Sequence, residues 1–275
     1  MRRFMGLAII LALVPRVSAV PDDSPKSPAE ELKQLQKDVT DAQRKATDLH
    51  RRLLGIEDAE VMKKLSEELR EANVGVREIR EKSYAKAATI AKANAKDEVG
   101  LDAALWVLPG LRTKPVESKE LLGLVIQHHV ANKKISSAIG LLTMQAASDP
   151  SGIETLELIA EKNPTKSVQA AALFAVADFY KNKSEPRRGA PPMDADALAK
   201  KAEAGFERIL KEFADETQIG QRKYGPVAKG ALFELRNLRV GKTVPEVEGV
   251  DVDGVEFKLS DYRGKVVMLD FWGHW

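Results

Sequence analysis

Apolar residues recur at three-to-four spacing along most of the chain and give way to an alternating, glycine-punctuated pattern only near its C-terminal end. From Ser27 onward the stripe Leu32, Leu35, Val39, Ala42, Ala46, Leu49 and Leu53 runs through a background of lysine, arginine, aspartate and glutamate. That pattern predicts a thin-faced amphipathic or coiled-coil-like helix. Ser27-Pro28-Ala29-Glu30 predicts its start, with Ser27 as cap, Pro28 at the first helical position and Glu30 at the third, and Gly55 predicts its end. A second stripe, Val61, Leu65, Leu69, Val76 and Ile79, predicts a helix over 57–95. Stripes this thin suit a partner-binding or dimerising helix, or an antiparallel hairpin in which the two bury each other; the hairpin needs nothing beyond this chain.

From Leu101 to Leu238 the pattern predicts shorter helices over 101–107, 118–131, 134–147, 151–162, 167–181, 194–213 and 224–237. Pro109-Gly110, Asp149-Pro150, Asn163-Pro164 and the polar loop 184–192 separate them. The Ala-rich run 168–180 and the segment 199–210 resemble a tetratricopeptide-type helical hairpin, in which small residues let two helices approach closely. No fixed period lies over the region, so the expected fold is mainly α, an irregular helical array.

After Leu238 the texture switches to β-branched residues, glycines and turns. Asp253-Gly254 predicts a hairpin between strands at 248–252 and 255–259, and Ser260 to Gly264 a tight turn stopping at glycine. The apolar run from Lys265 through Trp272, holding the single acid Asp270, has the character of a central strand buried on both faces. An acid in such a strand is costly unless it is paired or functional.

Composition narrows the function. The N-terminal residues 1–19 have the form of a secretory signal: Arg2 and Arg3, an apolar run from Phe4 to Val14, Pro15, and small residues before a cut ahead of Val20. The run is about half of what spans a bilayer, so membrane attachment is expected only if the signal is retained as an anchor. Export implies a periplasmic or otherwise extracytoplasmic, bacterial-type location. Cleavage would leave 40 basic against 41 acidic residues, so no basic excess points to nucleic acid. The chain has no cysteine, hence no disulfide, thiolate metal site or cysteine nucleophile of its own. No cofactor or metal is expected: His128 and His129 are adjacent in a helix rather than i, i+4, and His50 lies on a charged face. No serine-nucleophile elbow, phosphate-binding loop or zinc-protease helix motif is present.

The C-terminal pieces together resemble the start of a redoxin domain of the thioredoxin superfamily, of the TlpA-like and ResA-like thiol-disulfide oxidoreductase type. The resemblance rests on Gly241-x-x-x-Pro245, the Asp-Gly hairpin, Leu-Ser-Asp-Tyr-Arg-Gly-Lys at 259–265 and Phe-Trp-x-x-Trp at 271–275. It covers about 36 residues and implies a Cys-x-x-Cys directly after Trp275, so the chain is expected to be an inactive front portion of a longer protein. It also implies supporting roles for Asp270, as the acid assisting the resolving cysteine, and for Trp272 and Trp275, as aromatics flanking the motif; ordinary packing is the alternative for both tryptophans. The implied partners are protein dithiols or disulfides, with a possible protein partner for the helical domain. A helical protein-binding scaffold with a vestigial redoxin domain is the alternative function. The expected organisation is a signal at 1–19, a flexible lead-in at 20–28, a long helical hairpin at 29–96, an α-helical domain at 97–239 and the opening of an α/β thioredoxin-like domain at 240–275.

Overall fold

The computed structural model describes residues 26–111, 114–185, 194–217, 222–239, 241–268 and 270. The expected signal at 1–19 lies outside them, as do Trp272 and Trp275.

Helix α1 (Pro28–Leu53) begins at the predicted capping box. The Glu30 amide donates to Ser27 Oγ at 3.3 Å and the Ser27 amide to Glu30 Oε2 at 2.8 Å, so two orphan amides are satisfied at once. The chain turns through Gly55, whose φ of +89° favours a residue without a Cβ. Asp58 then caps α2 (Ala59–Ala93), accepting from the amides of Glu60 and Val61. The two helices form the antiparallel hairpin. Only its root joins the central core, where Leu32 and Leu35 meet Ala87, Ile90 and Ala91. Val39, Ala46, Leu49, Leu65 and Val76 are buried outside that core, along the hairpin's own seam.

The body follows as α3 (Glu98–Val107), α4 (Pro115–His129), α5 (Ile139–Ala146), α6 (Ser151–Lys162), α7 (Lys166–Ser184), α8 (Ala195–Glu212) and α9 (Tyr224–Phe233). A single helix was expected over 134–147. Instead Lys133–Ala138 is a 3₁₀ helix, and Ile135 and Ala138, three apart and both fully buried, fit its three-residue turn. A π turn, Glu234–Leu238, extends α9 and carries Arg236 to Glu203 and Glu207 of α8. Helices α7 and α8 pack closely: a Cβ added at Gly205 would lie 2.8 Å from that of Ala177, so only glycine fits. Phe206 beside it is fully buried, with its ring edge-on to Phe174. Among the described residues, no helix is long and apolar enough to cross a membrane.

The β segment is a two-stranded antiparallel sheet of β1 (Glu248–Val250) and β2 (Glu256–Lys258). The expected central strand over 265–272 is not formed by its described residues. Val266 and Met268 are 103% and 91% exposed and carry no strand. The reason is physical: a central strand needs a neighbour on each edge, and β1 and β2 pair only with each other among the described residues. The mainly α expectation holds, and among the described residues the sheet is limited to this hairpin.

Candidate functional site

The redoxin-like segment is organised by three carboxylates, each holding a turn. Asp251 Oδ1 accepts from the amides of Asp253 and Val255, both at 2.9 Å, and Gly254 takes the positive φ of +81° that the turn requires. Glu246 Oε1 accepts from the Ser260 amide at 3.0 Å and the Val247 amide at 3.3 Å, tying the chain before β1 to the turn after β2. Hydrogen bonding from Ser260 holds the Glu246 carboxyl below its ordinary range. Asp261 accepts from the Lys258 amide at 2.9 Å and closes a 3₁₀ turn, Leu259–Tyr262. The Phe257 ring lies over Gly249, its partner across the ladder. Tyr262 to Lys265 then makes a tight turn, with Arg263 extended and Gly264 at φ +81°.

Of the three residues singled out in the sequence, Asp270 is exposed, so the burial cost that marked it is not incurred by the chain as described. Trp272 and Trp275 lie outside the described residues, and the three are not brought together among them. The chain holds no cysteine, so the segment has a folded frame without a thiol nucleophile.

Among the described residues, no group of three or more histidines, aspartates or glutamates is placed to hold a metal. His129 is buried, with Nε2 2.9 Å from the Ala95 carbonyl; a carbonyl only accepts, so Nε2 carries the proton and the ring ties α4 to the end of α2. His50 is exposed. Sequence reasoning marked Asn163 only as part of a breaker. In the structure it is 1% exposed, donating to the carbonyls of Val130 and Asn132 and accepting from the Thr165 amide. An asparagine before proline in a loop gives no hint of that burial.

Two hollows remain. One, of about 290 Å³, lies between α4 and α5 under the Lys119–Asp149 ion pair, with Leu122, Leu141 and Met144 in its lining. The other, of about 810 Å³, runs along the α1–α2 hairpin. Sequence periodicity places residues on a helix face but does not show that two faces leave a groove between them.

Part of the chain is similar to thiol-disulfide oxidoreductases. It is 56% identical over 42 residues to the thiol-disulfide oxidoreductase ResA of Geobacillus kaustophilus, covering 15% of this chain and 24% of that protein. The ResA of Geobacillus thermodenitrificans is 53% identical over 42 residues, with the same coverage of both chains. The ResA of Bacillus anthracis is 34% identical over 47 residues, 17% of this chain and 27% of that protein. The chain thus spans about a quarter of the length of the curated relatives it matches. No family model matches it, and no solved structure does.

Proposed function

We propose that this chain carries the helical domain and the opening β-hairpin of an extracytoplasmic thiol-disulfide oxidoreductase of the TlpA and ResA kind, whose redox cysteines follow Trp275. The observation that carries this reading is the 42-residue match at 56% identity to a ResA, a length close to that of residues 240–275. In this reading residues 266–272 become a central strand when neighbouring strands flank them. Val266 and Met268 are then covered, Asp270 sits beside the resolving thiol, and Trp272 and Trp275 frame the motif. Residues 1–19 would direct the protein out of the cytoplasm, and α7 with α8 would act as a tetratricopeptide-like pair in its helical domain.

The chemistry is thiol-disulfide exchange. The first thiolate attacks a partner disulfide and forms a mixed disulfide, releasing one partner thiolate. The second thiolate then attacks the mixed disulfide, which frees the reduced partner and leaves the enzyme's own disulfide. No residue of this chain performs either step, because it has no cysteine. A second reading, a helical binding scaffold with a vestigial redoxin segment, is favoured by one observation: among the described residues none beyond Leu235 is buried, so the helical core closes without the β segment.

The two readings separate on one experiment. The parent gene is read through the codons after Trp275, and the encoded full-length protein is assayed for disulfide reduction with a dithiol reductant, beside this chain alone. The expected result is a Cys-x-x-Cys, activity that disappears when its first cysteine is replaced, and no activity in this chain. A stop codon or an absence of cysteines sinks the redox reading and leaves the scaffold.

A further inference from the structure

Beyond the core-anchored root, the α1–α2 hairpin is a ribbon two helices wide, and the groove of about 810 Å³ runs along one side of it. The floor is apolar, formed by Leu49 of α1 and by Ala72, Gly75, Val76 and Ile79 of α2. Ile79 is 37% exposed. Gly75 stands in the interior of a 35-residue helix, where glycine is a poor helix former. A Cβ there would meet nothing within 4 Å, so no contact inside the chain calls for this glycine. A position without a side chain leaves room for a second backbone to come close.

The walls carry the second observation. On the α1 side Arg44 pairs with Asp41 at 2.8 Å, and Asp48 pairs with Arg51 at 3.3 Å, so these charges are matched within their own helix. That leaves Lys45 and Arg52 on one wall facing Glu68 and Glu71 on the other, and among the described residues none of the four has an ion-pair partner. One wall is therefore net basic and the other net acidic over the same stretch of hairpin.

We propose that this groove joins two copies of the chain, hairpin on hairpin, as a four-helix bundle. A two-fold axis along the hairpin's length keeps each residue at its own height and exchanges the walls. The Lys45 and Arg52 wall of one copy then lies over the Glu68 and Glu71 wall of the other, twice over, as an isologous interface requires. Each α1 also runs antiparallel to the α2 it covers, the arrangement of up-down bundles. Ile79 is covered by its partner copy, and Gly75 lies where the backbones approach.

The test is sedimentation equilibrium of the full chain across a concentration series, with helical content followed by circular dichroism. The expected species is a dimer of the 30.2 kDa chain. Gly75→Leu, which blocks the approach, and Glu71→Lys, which sets like charge over like, each weaken dimerisation by about tenfold or more. Combining Lys45→Glu with Glu71→Lys restores it. If Gly75→Leu disturbs the hairpin itself, the charge exchange still decides. A chain that stays monomeric, its groove left to a partner of another kind, overturns the proposal, and so does a dimer indifferent to the charge reversal.

Discussion

The helical body and the C-terminal β segment belong to one chain and obey opposite rules. In the body the backbone hydrogen bonds are closed within each helix, so burial only has to fit side chains together, and Phe206, Ile209, Leu156 and Ile159 reach full burial. In the β segment the ladder must be completed by other strands. β1 and β2 satisfy each other, while turn carboxylates such as Asp251 and Glu246 hold the connections. Nothing there is buried among the described residues. A helical sequence thus carries most of its own completion, whereas a central strand reports a sheet that other residues must supply.

Three measurements sharpen or break that contrast. The largest effect is expected from truncating paired aromatics in the two regions. Phe206→Ala should cost about 3–5 kcal/mol of unfolding free energy, because it empties a fully buried site between α7 and α8. Phe257→Ala, in the half-exposed hairpin, should cost under about 1 kcal/mol in the same denaturant titration. Equal costs would mean that the β segment shares the core.

A smaller effect is expected from Asp149, which receives Lys119 Nζ at 2.8 Å and the Ser151 amide at 3.0 Å. The Lys119 bond first, and then Ser151, hold its carboxyl well below the ordinary carboxylate range. A lowered folded pKa means that stability is present above the unfolded value of about 3.8 and is lost as pH falls below it. Asp149→Asn should therefore lower the melting temperature modestly at pH 6, and the gap to the parent chain should narrow by about pH 3 and with added salt. A gap that is constant with pH would mean the ion pair contributes nothing. The smallest effect is expected from removing residues 241–275, which should leave the helical unfolding free energy within about 0.5 kcal/mol of the full chain. A larger loss would show that the body leans on the β segment.

Legibility followed the same division. Ser27, Pro28 and Glu30 announced the start of α1, and Ser151 to Lys162 formed a helix with the predicted bounds, because caps and three-to-four spacing are local signals. The small residues of 168–180 foretold the close approach that Ala177 and Gly205 make. The turn at Gly254 and the stop at Gly264 were legible for the same reason. The 265–272 strand was not, since its apolar run states a preference for burial without naming what would bury it. Asn163 and the hairpin groove were missed because each depends on elements brought together only by the fold. Of the candidate site, the frame was legible, while the places of Trp272 and Trp275 lie outside the described residues.

The manner in which α1 and α2 are rooted also makes the hairpin a cantilever. From Ser83 near the root to Ala59 at the far end, α2 extends about 36 Å at about 1.5 Å per residue. A tilt of about 10° at the level of Ser83 would carry the tip through about 6 Å. Small angular differences in packing at that root are therefore magnified along the arm.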